Sequence, residues 1–294
     1  MRLLAVDWGT SRVRAHLVAD GTALESRDAA EGVSRLRPGE HPGVFERLCG
    51  EWLAAEPGLP IILVGMVGSR EGWFPAPYVR CPAGPAEIAA GLTTVDLGAG
   101  RRGFVTPGVS AAAHAAPDVM RGEETHLLGA DVADGLVCLP GTHCKWARME
   151  GGRIAGFATF LTGELYGLLR EHSMVGRPAA EPADPAGFAE GLAAAEGAED
   201  SGGLLRILFG ARAATLTGRL APTALGPYLS GLLTGFEIAG ALRLFGRPDA
   251  VTIVADPPRA ELYADALGRL GIATASRGQE ETLLAGVTTV LAAR

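Results

Sequence analysis

The sequence predicts an α/β protein made of two similar domains, and three observations support this. The chain has 294 residues, more than one domain usually contains. A strand, a turn with Gly-Thr and a second strand occur near the N-terminus and again after residue 135. Later segments alternate between helical patterns and short apolar strands, which is typical of an α/β fold. We expect a first domain over residues 1–130, a second over residues 131–294, and a ligand cleft between them.

The first strand and turn carry the most informative residues of the chain. Residues 3–6 are apolar, Asp7 ends the run, and the turn Gly9-Thr10-Ser11 follows. A glycine at the tip lets backbone N–H groups approach a phosphate, because it has no Cβ. A carboxylate beside that phosphate favours a divalent cation between the two. The alternative is an ordinary hairpin, in which the acid and the hydroxyls satisfy turn hydrogen bonds.

The elements that follow complete a first α/β unit. Residues 22–27 predict a third strand, and apolar residues at helical spacing predict a helix over 41–55. Residues 61–65 predict a short buried strand that ends in a glycine-rich loop, 65–73. Loops at strand ends bind ligands in open α/β sheets. The four prolines of residues 75–85 predict a loop.

An acid pair, Glu123 and Glu124, starts the next predicted helix, with Leu127 and Leu128 directed inward. Acids are favoured at a helix N-terminus by the macrodipole, so two capping residues are one interpretation of this pair. A strand over residues 136–139 and a turn at Pro140-Gly141-Thr142 then repeat the opening hairpin.

The rest of the chain is predicted to be mostly helical. A strand at residues 154–160 leads to a helix from Thr162, where Glu164 suits a capping box. Further helices are expected over 184–196, 204–214, 222–245 and 280–293, with strands at 251–255 and 272–275. Small residues in the long helix, such as Gly231 and Gly235, allow close helix packing.

Composition and charge argue against several classes of function. The formal net charge is −7 and no block of Lys or Arg stands out, so the footprint of nucleic-acid binding is missing. The four cysteines are scattered, which favours a reduced, cytoplasmic protein over a zinc protein. No apolar run is long enough to span a bilayer, and Asp7 interrupts the first strand too early for a signal peptide. We therefore expect a cytoplasmic protein without a membrane partner.

The order of these features resembles the superfamily of sugar kinases, heat-shock chaperones and actin. This resemblance implies two duplicated ribonuclease H-like domains, the actin-like ATPase fold, with nucleotide and substrate in the cleft. In that superfamily the first hairpin meets phosphates and metal, the second meets phosphates, and a late loop holds adenosine. A catalytic acid precedes the second hairpin.

A closer resemblance is carried by seven segments that span residues 5 to about 240 in order. They are AVDWGTSRVRAHLV, EGVSRL, GMVGSREGW, VMRGEETHLLGA, LPGTHCKW, FLTGELYGLL and SGLLTGFEIA. Together they resemble the 2-dehydro-3-deoxygalactonokinase family, and MRGEET and PGTHCKW are long and unusual. The family implies ATP-dependent phosphorylation of the terminal hydroxyl of 2-dehydro-3-deoxy-D-galactonate in galactonate breakdown, with the 6-phosphate as product.

The resemblance also implies roles for residues that bind ATP and Mg²⁺. Asp7 would hold Mg²⁺, directly or through water. The β- and γ-phosphates would be contacted by Gly9, Thr10 and Ser11, and the nucleotide phosphates from the second domain by Gly141 and Thr142. Lys145, the only lysine of the chain, would meet phosphate or substrate, or would simply end a strand. The adenosine loop would fall at Ala255 and Asp256, where this sequence lacks the glycine usual in the family.

The substrate hydroxyl needs a base, and the substrate carboxylate needs a cation. Glu124 is the first choice of base, and Glu123 stays open, because adjacent helix positions point about 100° apart. The candidates for the carboxylate are Arg14, Arg70 and Arg121. Gly68 and Ser69 would contact substrate hydroxyls or form an ordinary turn.

Two other functions are kept as alternatives. One is a kinase of the same fold that acts on another acid sugar or on a hexose. The other is a non-catalytic sensor of ATP or a sugar acid, which the residues at 255 and 256 motivate. The sequence leaves the oligomeric state open, with a homodimer as one arrangement.

Overall fold

Two sheets organise the protein, whose computed structural model describes residues 1–113, 116–196 and 202–294. The strands are β1 (Arg2–Trp8), β2 (Val13–Ala19), β3 (Thr22–Ala29), β4 (Ile61–Val64), β5 (Tyr78–Arg80), β6 (Thr93–Gly98), β7 (Arg101–Val105), β8 (Gly108–Ala113), β9 (Ala116–Met120), β10 (Gly135–Leu139), β11 (Cys144–Glu150), β12 (Arg153–Phe160), β13 (Ala250–Val254) and β14 (Ala273–Arg277). The helices are α1 (His41–Ala55), α2 (Pro85–Ala90), α3 (Glu123–Gly129), α4 (Thr162–His172), α5 (Ala186–Glu196), α6 (Gly203–Leu216), α7 (Pro222–Phe245), α8 (Arg259–Arg269) and α9 (Gln279–Ala292).

Residue contacts divide the chain into two compact units. The first unit consists of Met1–Val137, Ala147–Phe157 and Arg277–Arg294, and the second of Cys138–Trp146 and Ala158–Ser276. The domain boundary predicted after residue 130 stays a prediction, as does the cleft. No helix within the described ranges is both long enough and apolar enough to cross a bilayer.

The first sheet is built around the N-terminal hairpin, in the order β3-β2-β1-β4-β7-β6. Strands β1, β2 and β3 form the predicted antiparallel meander, and β4 pairs with β1 in parallel. Leu3, Leu4, Ala5 and Val6 are all buried, because β1 lies inside the sheet. Helix α1 packs its predicted apolar face, including Val44 and Trp52, into the same core.

The second sheet has the order β12-β11-β10-β13-β14. Its first four positions repeat the pattern of β3-β2-β1-β4, a three-stranded meander followed by a later strand beside the first. The predicted architectural repeat is therefore confirmed at the level of strand order.

Helices α5 and α7 pack closely through glycines. A Cβ at Gly231 would lie 2.0 Å from the carbonyl oxygen of Phe188, and one at Gly191 would lie 2.0 Å from that of Tyr228. Since any side chain would overlap backbone, the prediction that small residues of the long helix allow close packing is confirmed.

Two local predictions were wrong. Residues 75–85, expected to form a loop, contain β5, which joins β8 and β9 in a three-stranded sheet of order β5-β8-β9. This strand has only three residues and lies among prolines, so it has no readable alternation. The capping box at Glu164 does not form either. Leu161 precedes α4 without a side-chain cap, and Glu164 instead pairs with His143.

Helix α3 is held against the last helix of the chain, α9. A Cβ at Gly129 would lie 1.9 Å from the carbonyl oxygen of Thr282, and one at Gly286 would lie 1.9 Å from that of Thr125. His126 Nδ1 also lies 2.9 Å from Thr282 Oγ1. The C-terminal helix therefore fixes the position of α3.

We expect Gly286→Ala to destabilise the protein by roughly 1–3 kcal/mol, because the new methyl group has to push α3 and α9 apart. The midpoint of thermal unfolding measures this. Gly210→Ala on α6 is the matched control, since a Cβ there meets no atom within 4 Å. An unchanged midpoint for Gly286→Ala would contradict the close packing.

Candidate functional site

Asp7 lies near the end of β1, between two neighbouring strands and close to a glycine. Its Cα partners are Arg14 on β2 and Val64 on β4. Gly65 follows β4 with a φ of 90°, a conformation that favours glycine. A Cβ at this position would lie 3.4 Å from Asp7 Oδ1 and 3.1 Å from the carbonyl oxygen of Trp8. Glycine at 65 therefore keeps the space beside the carboxylate open.

A second glycine brings the acid pair to the same place. Gly122, which precedes α3, has a φ of 107°, and a Cβ there would lie 3.2 Å from the Cα of Gly65. The loop after β4 and the start of α3 thus approach each other at two glycines. Because Gly65 also adjoins Asp7, the predicted metal ligand and the predicted acid pair lie in one region of the first unit.

The electrostatics of Asp7 agree with this placement. Desolvation raises the pKa of its carboxyl to about 6, the Arg14 guanidinium lowers it, and the Glu123 carboxylate raises it. The Asp7 and Glu123 carboxylates repel each other, and neighbouring negative charges of this kind favour binding of a cation. No group of three or more His, Cys, Asp or Glu side chains in the described ranges is placed to hold a metal. A single carboxylate fits Mg²⁺, which keeps several waters and binds phosphate oxygens.

The two glutamates of the acid pair differ in exposure. Glu124 is 0% exposed, whereas Glu123 is partly exposed. Glu124 accepts hydrogen bonds from the Gly122 N–H at 2.6 Å and from the Thr125 hydroxyl at 3.0 Å. Glu123 accepts one from the Arg121 N–H at 3.0 Å. Both therefore cap the start of α3, and only Glu123 is also accessible to a substrate.

Burial raises the pKa of Glu124 to about 7, and Glu123 adds to the increase, while hydrogen bonds from the Gly122 N–H, its own N–H and the Thr125 hydroxyl lower it. The folded state thus holds this proton more tightly than the unfolded chain, in which Glu titrates near about 4.3. The contribution of Glu124 to the free energy of unfolding therefore falls as pH rises from about 4.3 to 7. Above pH 7 the buried charge destabilises the folded state by on the order of 3 kcal/mol.

We therefore expect Glu124→Gln to raise the midpoint of thermal unfolding by several degrees at about pH 8, and much less at about pH 5. The glutamine can still accept from Gly122 and donate to Thr125. Circular dichroism at both pH values measures the effect, with the exposed Glu150→Gln as control. The same gain at both pH values would refute the assignment of a destabilising buried charge.

Arg121 is a buried cation with donors left over. It is 9% exposed, its Nη2 donates to the Ala76 carbonyl at 2.8 Å, and its guanidinium lies 4.4 Å from the Tyr78 ring centroid. Within the described ranges, its Nε and Nη1 have no hydrogen-bond partner. Leaving donors of a buried charge unpaired is costly, and such a group is a candidate anion ligand.

Gly68 lies next to both Arg121 and the end of β7. A Cβ at Gly68 would lie 2.9 Å from Arg121 Nη1 and 3.0 Å from a methyl group of Val105. Ser69, which follows Gly68, and Thr106, which follows Val105, have buried hydroxyls that also find no hydrogen-bond partner in the described part of the chain. The predicted Gly68 and Arg121 thus lie next to each other, and Ser69 follows Gly68 with a buried hydroxyl. Thr106, which sequence reasoning missed, carries no signal beyond its place after a strand.

The other two predicted arginines lie elsewhere. Arg14 is exposed on β2 beside Asp7, and Arg70 is exposed in the loop after β4. Neither is buried like Arg121, so their roles stay predictions.

The first turn has its carbonyl groups bonded inward. Gly9 O accepts from the Val33 N–H and Thr10 O from the Ser34 N–H, both at 3.0 Å. Thr10 and Ser11 are exposed. The carbonyl oxygens, which would repel a phosphate, are therefore occupied by the segment around residue 33.

The second turn borders a cavity of about 270 Å³ in the second unit. Its lining comes from the turn, from the start of β11 and from α4, α7 and α8: Pro140, Gly141, Thr142, Cys144, Thr162, Gly163, Tyr166, Ser230, Leu233, Thr234, Arg259, Leu262 and Tyr263. The Glu164 N–H donates to the Thr142 carbonyl at 2.9 Å, which ties the turn to α4. Ser230 and Thr234 lie four residues apart on the largely apolar helix α7. This pair of polar residues could have indicated from the sequence that one face of α7 lines a cavity.

Three residues predicted to contact the nucleotide lie outside this lining. Lys145 is buried and follows Cys144 on β11, so its side chain leaves the opposite face of that strand. Ala255 is buried, and the Asp256 carbonyl accepts from the Arg259 N–H at 3.1 Å, at the start of α8. The cavity is instead lined by α8 residues that directly follow this loop.

The repeated strand order and the two Gly-Thr turns define the class of the protein, which has the actin-like ATPase fold of sugar kinases. The activator of the 2-hydroxyisocaproyl-CoA dehydratase of Clostridium difficile and component A of the (R)-2-hydroxyglutaryl-CoA dehydratase of Acidaminococcus fermentans, each 12% identical to this chain, share the fold at TM-scores of 0.53 and 0.55. The fold class predicted from the sequence is confirmed.

The family profile of 2-keto-3-deoxy-galactonokinase matches residues 7–290, and the chain belongs to this family. A protein of Rhizobium meliloti (strain 1021) named a probable 2-dehydro-3-deoxygalactonokinase is 39% identical, over 97% of this chain and 94% of the relative. The 2-dehydro-3-deoxygalactonokinase of Escherichia coli (strain K12) is 34% identical, over 98% and 97%. A Sinorhizobium meliloti crystal structure assigned to the same kinase has 34% identity and a TM-score of 0.85, covering 98% and 95%.

Proposed function

We propose that this protein transfers the γ-phosphoryl group of ATP to the terminal hydroxyl of 2-dehydro-3-deoxy-D-galactonate, giving the 6-phosphate. Family membership over nearly the whole chain supports the kinase activity. The observation that carries the site assignment is the acid pair of α3, placed next to Asp7 by the approach of Gly65 and Gly122. Phosphoryl transfer asks a protein mainly for positioning and charge stabilisation, and this region supplies both.

Asp7 is the proposed ligand of Mg²⁺, which would neutralise charge on the β- and γ-phosphates when bound. The exposed Gly9-Thr10-Ser11 turn is proposed to contact these phosphates through its N–H and hydroxyl groups. Since the free carboxyl of Asp7 has a pKa of about 6, it is ionised and ready for a cation at neutral pH.

Glu123 is the proposed general base, in preference to Glu124, because a base has to touch the substrate hydroxyl. Glu123 is partly exposed and interacts with Asp7, whereas Glu124 is enclosed. The base accepts the hydroxyl proton as the new oxygen–phosphorus bond forms. The bond between the γ-phosphorus and the bridging oxygen breaks, and ADP leaves with that oxygen.

Arg121 is the proposed partner of the substrate carboxylate. Its Nε and Nη1 keep unpaired donors, and either of them can donate to a carboxylate oxygen. Ser69 and Thr106 have buried hydroxyls that find no partner in the described part of the chain. Because these groups are buried, reaching them requires the substrate to displace local packing. Arg14 and Arg70 remain secondary proposals for the same charge.

The cavity beside Gly141 and Thr142 is the proposed nucleotide pocket. Its polar lining and the positive charge of Arg259 suit a nucleoside phosphate. Lys145, Ala255 and Asp256 remain proposed nucleotide contacts on the resemblance alone.

A coupled assay of ADP release tests the activity. We expect turnover with 2-dehydro-3-deoxygalactonate in the presence of ATP and Mg²⁺, and little with hexoses, which lack the carboxylate. Nucleotide binding without turnover would instead identify a sensor, and a preference for another sugar would identify a different kinase of this fold.

Two properties of the protein in the cell are also proposed. We propose a cytoplasmic location, in keeping with the use of ATP and a small sugar acid. We propose a homodimer as the assembly, which sedimentation velocity would distinguish from a monomer by its mass.

A further inference from the structure

Helix α7 contains one acid that packing alone does not require. Glu237 is 2% exposed in a helix whose other buried residues are almost all apolar. Its carboxylate accepts from Trp146 Nε1 and from the Tyr263 hydroxyl, both at 2.8 Å. The Thr162 hydroxyl also bonds to it. One carboxylate therefore joins four elements, namely β11, α4, α7 and α8.

The same four elements form the wall of the cavity beside the second turn. Thr162 and Tyr263 both line the cavity and bond to Glu237, whereas Trp146 bonds to Glu237 without lining it. The carboxylate thus lies behind the cavity wall and holds two of the side chains that face into it.

A chain of contacts continues from this carboxylate to the turn itself. The Tyr263 hydroxyl lies 3.3 Å from Cys144 Sγ. Cys144 Sγ in turn donates to the Gly141 carbonyl and accepts from the Gly141 N–H, both at 3.3 Å. The conformation of Gly141 is therefore linked through Cys144 and Tyr263 to Glu237.

Burying this acid is costly, which makes a purely structural role a poor explanation. Burial raises the pKa of Glu237, and its hydrogen-bond donors lower it. A buried charge is tolerated when several donors surround it, yet an apolar side chain of similar volume is often as stable. Compared with an apolar side chain, a carboxylate at this position fixes the orientation of the groups that donate to it, Trp146, Tyr263 and Thr162.

We infer that Glu237 is a positioning residue for nucleotide binding: it fixes Tyr263 and Thr162 in the cavity wall and, through Cys144, the turn at Gly141. This inference rests on the proposed nucleotide pocket. It assigns no contact between Glu237 and the nucleotide, which meets only the residues that Glu237 holds.

Two variants that each remove one donor to the same carboxylate test this. Tyr263→Phe removes the donor that lines the cavity, and Trp146→Phe removes the donor that does not. Isothermal titration with ADP measures binding without requiring turnover. We expect Tyr263→Phe to weaken ADP binding by about tenfold. We expect Trp146→Phe to keep the affinity for ADP within about twofold of the wild type, although it lowers the midpoint of thermal unfolding at least as much as Tyr263→Phe does.

Glu237→Gln provides a second measurement, because it keeps the shape of the side chain. We expect this variant to raise the KM for ATP by about tenfold with little change in the KM for the sugar acid. A general loss of folding would change both KM values or the active fraction instead.

The outcomes separate the inference from the function on which it rests. If the wild-type protein does not bind ADP, the nucleotide pocket and this inference both fail. If the wild type binds ADP and the two donor variants bind it equally well or equally badly, the pocket stands and the positioning role of Glu237 is overturned.

Discussion

Replacing Asp7 with asparagine is expected to lower kcat/KM for ATP by about 10³-fold. The side chain keeps its shape but loses the charge that is proposed to hold Mg²⁺ beside the phosphates. The fold should survive, because Asp7 is partly exposed and its pKa is raised to about 6, so its ionised form is disfavoured in the absence of a cation. The ADP-release assay, run over a series of Mg²⁺ concentrations, measures the loss.

The control for this variant is Asp96→Asn on β6. Asp96 is exposed and accepts the Gly98 N–H at 2.8 Å, a bond that asparagine can also accept. We expect this control to keep full activity. Activity of Asp7→Asn within about tenfold of the wild type would remove Asp7 from the proposed chemistry.

The second large effect is expected at the acid pair. Glu123→Gln should lower kcat by about 10²–10⁴-fold, the usual contribution of a positioned general base. Its KM for ATP should change little, because the base acts in the transition state rather than in nucleotide binding. Glu124→Gln, which leaves the exposed carboxylate in place, should lower kcat by less than about tenfold.

Comparison of the Glu123→Gln and Glu124→Gln variants decides which residue is the base. The pH dependence of kcat provides a further readout, since activity that depends on an ionised base falls as pH drops below the pKa of that base. The opposite result would be a Glu124→Gln variant with a roughly 10²–10⁴-fold lower kcat and a Glu123→Gln variant that stays active. The base would then be Glu124, and α3 would have to move to expose its buried carboxylate to the substrate.

The sequence predicted the parts of the fold that depend on local pattern. Strand β1 and its turn, helix α1 and the long helix α7 all follow from apolar spacing and turn residues. The strands between residues 78 and 120 were missed, because their short length and small residues carry no periodic signal. Their pairing is set by tertiary contacts rather than by propensity.

In the candidate site, too, the features set by local sequence pattern could be predicted and those set by tertiary contacts could not. Asp7, Glu123 and Arg121 were recognisable from their places at turns and helix starts. Exposure was not readable, and it is exposure that separates Glu123 from Glu124. The link from Glu237 to Gly141 joins residues far apart in sequence, so no spacing could reveal it.

The packing of α3 on α9 has a consequence for the order in which the protein becomes active. Domains form from the N-terminus onward during synthesis, and the strands around Asp7 are made early. The helix that carries the acid pair rests on Thr282 and Gly286, which are made after every residue of the proposed site. A growing or shortened chain would thus have its metal ligand before its base is in place. A chain that stopped before α9 would be inactive, although it would contain every residue of the proposed site.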